Sequence, residues 1–183
     1  MKRLILTAGA VLIAFAAHPA KAGAQETQAA MQDATTARAS LLDASGKKIG
    51  TATLSAQPNG VLIELEVQGL PQGTHAFHLH EKGACRTPDF ESAGGHFNPT
   101  DRKHGMEVDG GPHAGDLPNI HVDASGKAEL SALDPYVTLG KGNTSLLAGD
   151  GAAVVIHAGR DDYTSQPSGN AGNRIACGKI ERG

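Results

Sequence analysis

The chain has 183 residues, a formal net charge of −3 and only two cysteines, which suits one domain with its own core and excludes a cysteine-rich scaffold. Aromatic residues are 3% of the sequence and tryptophan is absent, so the core must be built from Val, Ile, Leu and Ala. Mild acidity argues against nucleic acid as a partner.

In chain order, Met1-Lys2-Arg3, an apolar stretch from Leu4 to Ala17 and Ala20-Lys21-Ala22 form a charged n-region, an h-region and a small-x-small cleavage site. Residues 1–22 therefore read as a secretory signal peptide, with cleavage after Ala22 or after Ala24. The apolar stretch is too short for a comfortable membrane span, and no later stretch is apolar for long enough, so no membrane is expected as a partner. Cleavage removes Lys2, Arg3 and Lys21 and no acid, which leaves 13 basic and 19 acidic residues, a charge of −6. The expected location is periplasmic or secreted. No cysteine follows either cleavage site, so a lipid anchor has no attachment point. Residues 23–35 read as a flexible tail, and 36–183 as the folded domain.

The body reads as all β. Residues 37–42, 50–54, 61–67 and 153–156 are short, β-branched or alternating runs, separated by turns at Ala44-Ser45-Gly46, Pro58-Asn59-Gly60, Pro71-Gln72-Gly73 and Ala124-Ser125-Gly126. About eight strands and no amphipathic helix of any length predict a small barrel or immunoglobulin-like sandwich. Two Gly-, Pro-, Asp- and Asn-rich segments, 83–117 and 158–173, resist the pattern. Loops of that length in a compact domain are functional or disordered.

Six of the nine histidines, with Asp116, read as a two-metal site: His78, His80, His96, His104, His113 and His157. Imidazole and carboxylate hold copper and zinc at neutral pH. Alternation along a strand puts Phe77 and Leu79 on one face and His78 and His80 on the other. With the apolar pair in the core, both histidines point out of the barrel wall and need a cover, for which the two long segments are the candidates. The same parity sets His75 apart, and His121, between Ile120 and Val122, reads as solvent-facing. His96, His104, His113 and Asp116 lie within the first long segment and form a four-ligand set suited to tetrahedral zinc with no open position. Cys85 and Cys177 are an even pair in an exported chain and read as a disulfide, worth roughly 4 to 5 kcal/mol in the chain-entropy model. Two independent buried thiols are the alternative.

Taken together, His78-Leu-His80-Glu81, Ser92-Ala93-Gly94-Gly95-His96-Phe97-Asn98-Pro99, Arg102-Lys103-His104-Gly105, Pro112-His113-Ala114-Gly115-Asp116-Leu117, Val155-Ile156-His157 and Gly169-Asn170-Ala171-Gly172-Asn173-Arg174-Ile175-Ala176-Cys177-Gly178 resemble, in order and spacing, the signature stretches of the copper/zinc superoxide dismutases. The resemblance runs from about Thr36 to the C-terminus. It implies an eight-stranded Greek-key β-barrel with copper and zinc on its outer wall, and superoxide anion as substrate. Copper would be held by His78, His80, His96 and His157, zinc by His96, His104, His113 and Asp116, with His96 shared between them and also acting as a proton carrier. Asp161 would link His78 to His104, and Arg174 would dock the anion beside copper. Parity does not explain Arg174, which is out of phase with Cys177. Arg160 and Lys103 are candidates for steering the anion. The segment 160–173 is shorter than in familiar eukaryotic members, lacks lysine and carries Pro167, while the segment from Cys85 to His96 is longer and contains Arg86 and Asp89; both suggest a bacterial exported form. Family members pair through different barrel faces, so a homodimer is compatible with the sequence but its face is not specified. The competing readings are a copper/zinc-buffering protein of the same fold without turnover, and a barrel in which zinc and disulfide serve only stability.

Overall fold

The computed structural model describes residues 34–183; the signal peptide expected over 1–22 and nearly all of the tail expected over 23–35 lie outside the described residues. The strands are β1 Thr36–Asp43, β2 Lys48–Gln57, β3 Gly60–Gln68, β4 Gly73–His75, β5 Phe77–His80, β6 Ile120–Val122, β7 Lys127–Asp134, β8 Ala153–His157 and β9 Arg174–Arg182, and one 3-10 turn lies at Glu91–Ala93. The turns fall where the sequence places them. At the first, Asp43 Oδ1 accepts the Ser45 and Lys47 N–H groups at 2.9 and 3.0 Å, so the side chain stands in for backbone in reversing the chain.

Seven strands form one antiparallel sheet in the order β5-β8-β9-β1-β2-β3-β7, and β4 pairs with β6. β4 and β5 are a single extended stretch that changes partner at Ala76: Gly73–His75 pair with β6 and Phe77–His80 with β8. Ala76 itself donates to Gly159 O and accepts from His157 N–H. β6 lies against β7, so the two edges of the large sheet are joined and it closes as a Greek-key β-barrel. Counted as stretches the strands number eight, as the sequence predicts; the break at Ala76 makes them nine.

Along β1, Ala37, Ala39 and Leu41 are buried while Thr36, Arg38 and Ser40 are exposed, and β3 buries Val61, Ile63, Leu65 and Val67 in the same period-two pattern. These residues meet Leu54, Phe77, Leu79, Ile156 and Ile180 in one core. Each fully buried large aliphatic or Phe contributes roughly 1.5 to 3 kcal/mol of transfer free energy. β5 and β8 break the alternation, being buried at every position. Their outward faces must therefore be covered by something other than sheet.

The cover comes from the connections 81–119 and 158–173. A third long connection, 135–152, is not singled out by the sequence reading. It runs from β7 to β8, and Val137, Leu139 and Leu146 enter the core from it; their spacing among glycines and polar residues carries no strand or helix period.

Candidate metal centre

β5 is an edge strand, and its free backbone groups need partners. The first long loop supplies them. Leu79 N–H donates to Gly115 O at 2.9 Å, Phe97 N–H to Leu79 O at 2.8 Å, and Glu81 N–H to Gly95 O at 2.9 Å. The resulting short bridges pair His78 with Asp116 and His80 with His96, so the register of docking brings loop ligands beside the H-x-H pair. Gly115 permits the approach, because a Cβ there would collide with Leu79 O. On the inner side Phe77 and Leu79 enter the core, as parity requires.

Two donor groups result, one of His78, His80, His96 and His157 and one of His96, His104, His113 and Asp116. All eight memberships are buried, and within each group the ligand atoms lie within 4.8 Å of one another. In the first group the tautomers are set by outer partners. His80 Nδ1 donates to Gly94 O at 2.9 Å and His157 Nδ1 to Gly172 O at 3.1 Å, so both Nε2 atoms carry lone pairs, and these face each other at 3.4 Å. His78 Nε2 donates to Asp161 Oδ2 at 2.7 Å, which leaves its Nδ1 as a lone pair. That atom and His96 Nε2 are buried without partners. Four lone pairs gathered without a hydrogen-bond donor fit a borderline cation such as copper, and among the described residues nothing else satisfies them.

In the second group one oxygen, Asp116 Oδ1, is approached by His96 Nδ1 at 2.8 Å, His104 Nδ1 at 3.0 Å and His113 Nδ1 at 3.3 Å. Its other oxygen accepts the Gly105 and His113 N–H groups at 2.8 and 2.9 Å. Ligand atoms of a tetrahedral zinc site stand roughly 3.3 Å apart, so three rings and one carboxylate oxygen at these separations fit zinc. His96 has its Nδ1 in this group and its Nε2 free for the other.

Asp161 ties the two groups together, with Oδ2 on His78 Nε2 and Oδ1 on His104 Nε2 at 3.0 Å. Asn119 brackets it, donating through Nδ2 to Asp161 O and accepting Asp161 N–H at Oδ1. Gln166 clamps His104, accepting its N–H at 2.9 Å and donating to its carbonyl at 2.8 Å. Gly169 is required here, since a Cβ would overlap Asp161 Oδ1.

Burial sets the protonation of the site. It pushes the His78 imidazole down to about 3 against the pull of Asp161, lowers His157 to about 4, and depresses His80 and His96; these rings are neutral, ligand-ready bases at pH 7. At Asp116 and Asp161 burial acts upward, but the histidine hydrogen bonds outweigh it and hold both well below the carboxylate range. His104 goes the other way. Burial lowers it, but hydrogen bonds to Asp116 and Asp161 prevail and raise it to about 9. In the metal-free protein it therefore carries a proton at Nδ1, which a cation would displace.

Arg174 reaches the same face through a bulge. Ile156 pairs with Ala176 but His157 with Arg174, so β9 carries one extra residue there. The bulge resets the phase and places Arg174 directly beside His157, which explains why simple parity fails to assign it. Its Nη1 donates to Phe90 O and its Nη2 to Gly94 O, both at 2.7 Å. The disulfide Cys85–Cys177 is formed and packs with Phe90, Ala93, Ala153 and Val155 in a small outer cluster, so it secures the segment that supplies both carbonyls. A pocket of about 520 Å³ opens onto His80, His96, His113, His157 and Arg174, with Glu81 and Glu91 in its wall. Arg160 and Lys103 are exposed and do not line it, so any pull they exert on an anion acts through their field rather than by contact.

His75 is buried with its ring between His157 O at 2.8 Å and Pro71 O at 2.9 Å, a structural role as parity predicts, and His121 is exposed. The sequence reading does not find Asn119, Gln166, Glu81 or Glu91, nor the carbonyls of Phe90 and Gly94. Backbone acceptors have no sequence signal, and single polar loop residues resemble solvated ones.

A family model described as copper/zinc superoxide dismutase matches residues 48–180. The chain is 52% identical over 145 residues to a copper/zinc superoxide dismutase of Aquifex aeolicus, covering 78% of this chain and 86% of that protein. Among solved structures, it resembles a superoxide dismutase-like protein from Bacillus subtilis at 41% identity and TM-score 0.75, over 78% of this chain and 96% of that one. It resembles the copper/zinc superoxide dismutase from Brucella abortus at 30% identity and TM-score 0.64, over 80% and 99%.

Proposed function

We infer the chemistry of this chain from one premise: it belongs to the copper/zinc superoxide dismutase family. It is an oxidoreductase that converts two superoxide radicals and two protons to dioxygen and hydrogen peroxide, with copper and zinc as cofactors. The residue assignments are our reading. His78, His80, His96 and His157 hold copper, and His96, His104, His113 and Asp116 hold zinc. The observation that carries this is the set of unpaired ring nitrogens, buried and fixed in tautomer by carbonyl or carboxylate partners.

When bound, copper supplies a one-electron couple and zinc a fixed charge without redox chemistry of its own. The protein does the rest. Arg174, fixed by two carbonyls, keeps N–H groups free to orient a small anion in the pocket. His96 Nε2 is the atom at which a proton is held and passed to the departing peroxide, while its Nδ1 stays with the zinc group. Asp161 keeps His78 and His104 in the required tautomers. The second loop limits the pocket to small species. A buffering protein would need the ligands but not an anion-docking guanidinium beside them, so Arg174 favours turnover over storage.

Residues 1–22 as a signal peptide, 36–183 as the domain and export to the periplasm or beyond are part of this proposal. The disulfide, the leader-like N-terminus and relatives from bacteria support it. Among the described residues no helix is long and apolar enough to cross a membrane. N-terminal analysis of the exported protein tests cleavage, and sedimentation tests whether it forms a homodimer.

The decisive measurement is superoxide removal by protein of known copper and zinc content. Fully loaded protein without activity would sink the enzyme reading. Arg174→Ala should keep its copper and lose about tenfold or more in kcat/KM, the loss expected for one charge-assisted contact; unchanged activity at limiting substrate would remove Arg174 from the docking role.

A further inference from the structure

We propose that Glu91 is a specificity-determining residue, whose carboxylate rejects multiply charged anions from Arg174 more strongly than singly charged ones. The proposal rests on the reading of Arg174 as the docking group.

Glu91 Oε2 stands 3.7 Å from Arg174 Nη2. That is an ion-pair distance but beyond a hydrogen bond. Arg174 does not need Glu91 for its position, because Phe90 O and Gly94 O already hold it. Both carbonyls flank the short turn Glu91–Ala93 that carries the carboxylate, so one backbone segment fixes the cation and sets an opposing charge beside it. The Glu91 side chain is 74% exposed and that of Arg174 only 14%. Glu91 and Arg174 together line two adjoining pockets, the one over the metal groups and a smaller one of about 320 Å³ with Pro88, Asp89 and Asn173. An anion bound by the guanidinium from either pocket meets Glu91.

A carboxylate that is not a tether acts through its field. Arg174 is the only Lys or Arg lining the larger pocket among the described residues, and the two acids there are Glu81 and Glu91. Glu81 is engaged by Gly95 N–H at 3.1 Å, whereas the Glu91 carboxylate takes no hydrogen bond among the described residues. The repulsion it exerts is proportional to the charge of the incoming anion. The factor by which it weakens binding of a dianion is therefore the square of the factor for a monoanion. Superoxide carries one charge, while inorganic phosphate at mildly alkaline pH carries two and would otherwise occupy a bare guanidinium well.

The test is Glu91→Gln, titrated with formate and with inorganic phosphate at mildly alkaline pH. Binding is followed by the Arg174 Nε resonance of isotope-labelled protein, loaded with both metals and kept reduced. Formate affinity should rise about two- to threefold and phosphate affinity about four- to ninefold. Both gains should shrink at high salt, and kcat/KM at limiting superoxide should rise by the formate factor. Glu91→Asp, which keeps the charge, should stay near the parent protein. Glu64→Gln, which removes the same charge from the exposed face of β3, should change neither affinity. Equal gains for the two anions, no gain for either, or a comparable gain from Glu64→Gln would each overturn the proposal. An Arg174 resonance that responds to neither anion in the parent protein overturns the docking reading and this one with it. Anion discrimination as expected in protein that lacks turnover would leave the Glu91 role standing and remove only the enzymatic reading.

Discussion

Asp161 holds no position in either donor group, yet both depend on it. One carboxylate takes the Nε2–H of His78 and of His104, so replacing it with an amide sets an NH₂ against a ring N–H at one of the two contacts. Asp161→Asn should leave the barrel folded but weaken zinc binding about 10- to 100-fold, read by competition with a chelator of known affinity. Asp134 shows the opposite situation, a carboxyl with too few partners. It is 2% exposed, Oδ1 accepts only Tyr136 N–H, and Oδ2 has no partner. Burial, with a smaller contribution from the Asp116 charge, raises it to about 7. The folded protein therefore binds this proton more tightly than the unfolded chain, and stability falls as pH rises from about 4 through 7. Asp134→Asn removes the ionisation, and should stabilise the protein by about 1 to 2 kcal/mol at pH 8 and by little at pH 4. Denaturant midpoints at the two pH values check this.

At the scale of elements, the site exists because β5 is an edge. A central strand has its backbone groups paired on both sides, whereas β5 leaves one side for the loop, and the same hydrogen bonds that close the edge fix where His96 and Asp116 stand. The bulge in β9 does comparable work for Arg174. The disulfide then secures loop to sheet across 92 residues of sequence. Cys85→Ser combined with Cys177→Ser should lower the unfolding free energy by about 2 to 5 kcal/mol. It should also loosen Phe90 to Gly94 and lower kcat/KM with kcat less affected, because Arg174, proposed to dock the anion, loses its anchor. Equal stability of the two forms in denaturant titrations, at matched metal content, would contradict this.

For the molecule as a whole, the shifted histidines make the stability of the metal-free protein depend on pH. His78 and His157 titrate at about 3 and about 4 when folded, below an unfolded value of 6.5. Their contribution is complete above 6.5 and is lost as pH falls through the folded values. His104 has a folded value of about 9, so its contribution is complete below 6.5 and is lost as pH rises through 9. Opposed on the acid side, among the described residues, by the one raised carboxyl of Asp134, these shifts place the maximum stability of the chelated protein near pH 6.5. Thermal melts in chelator from pH 4 to pH 9 should trace that maximum, and metal loading should raise and flatten the curve by linkage. A chelated protein whose melting temperature keeps climbing to pH 9 would show that His104 does not hold its proton between Asp116 and Asp161.

The sequence by itself determined β1, β2, β3, β5 and β8, the turns it names and which side of β5 faces the core, because period-two burial and Gly, Pro and Asp turn chemistry are local. It also singled out, through their type and ordered spacing, the six histidines and one aspartate that the structure gathers into two buried donor groups. Tertiary structure alone decided how the barrel closes at Ala76, how the 135–152 connection feeds the core, and which groups surround Arg174. The surroundings of Arg174 depend on backbone carbonyls at Phe90 and Gly94, on one extra residue in β9, and on acids such as Glu91 that look solvated in sequence; the other two depend on a change of strand partner and on apolar residues without a period. Each is a relation between segments far apart in the chain, and a local pattern carries no information about a distance.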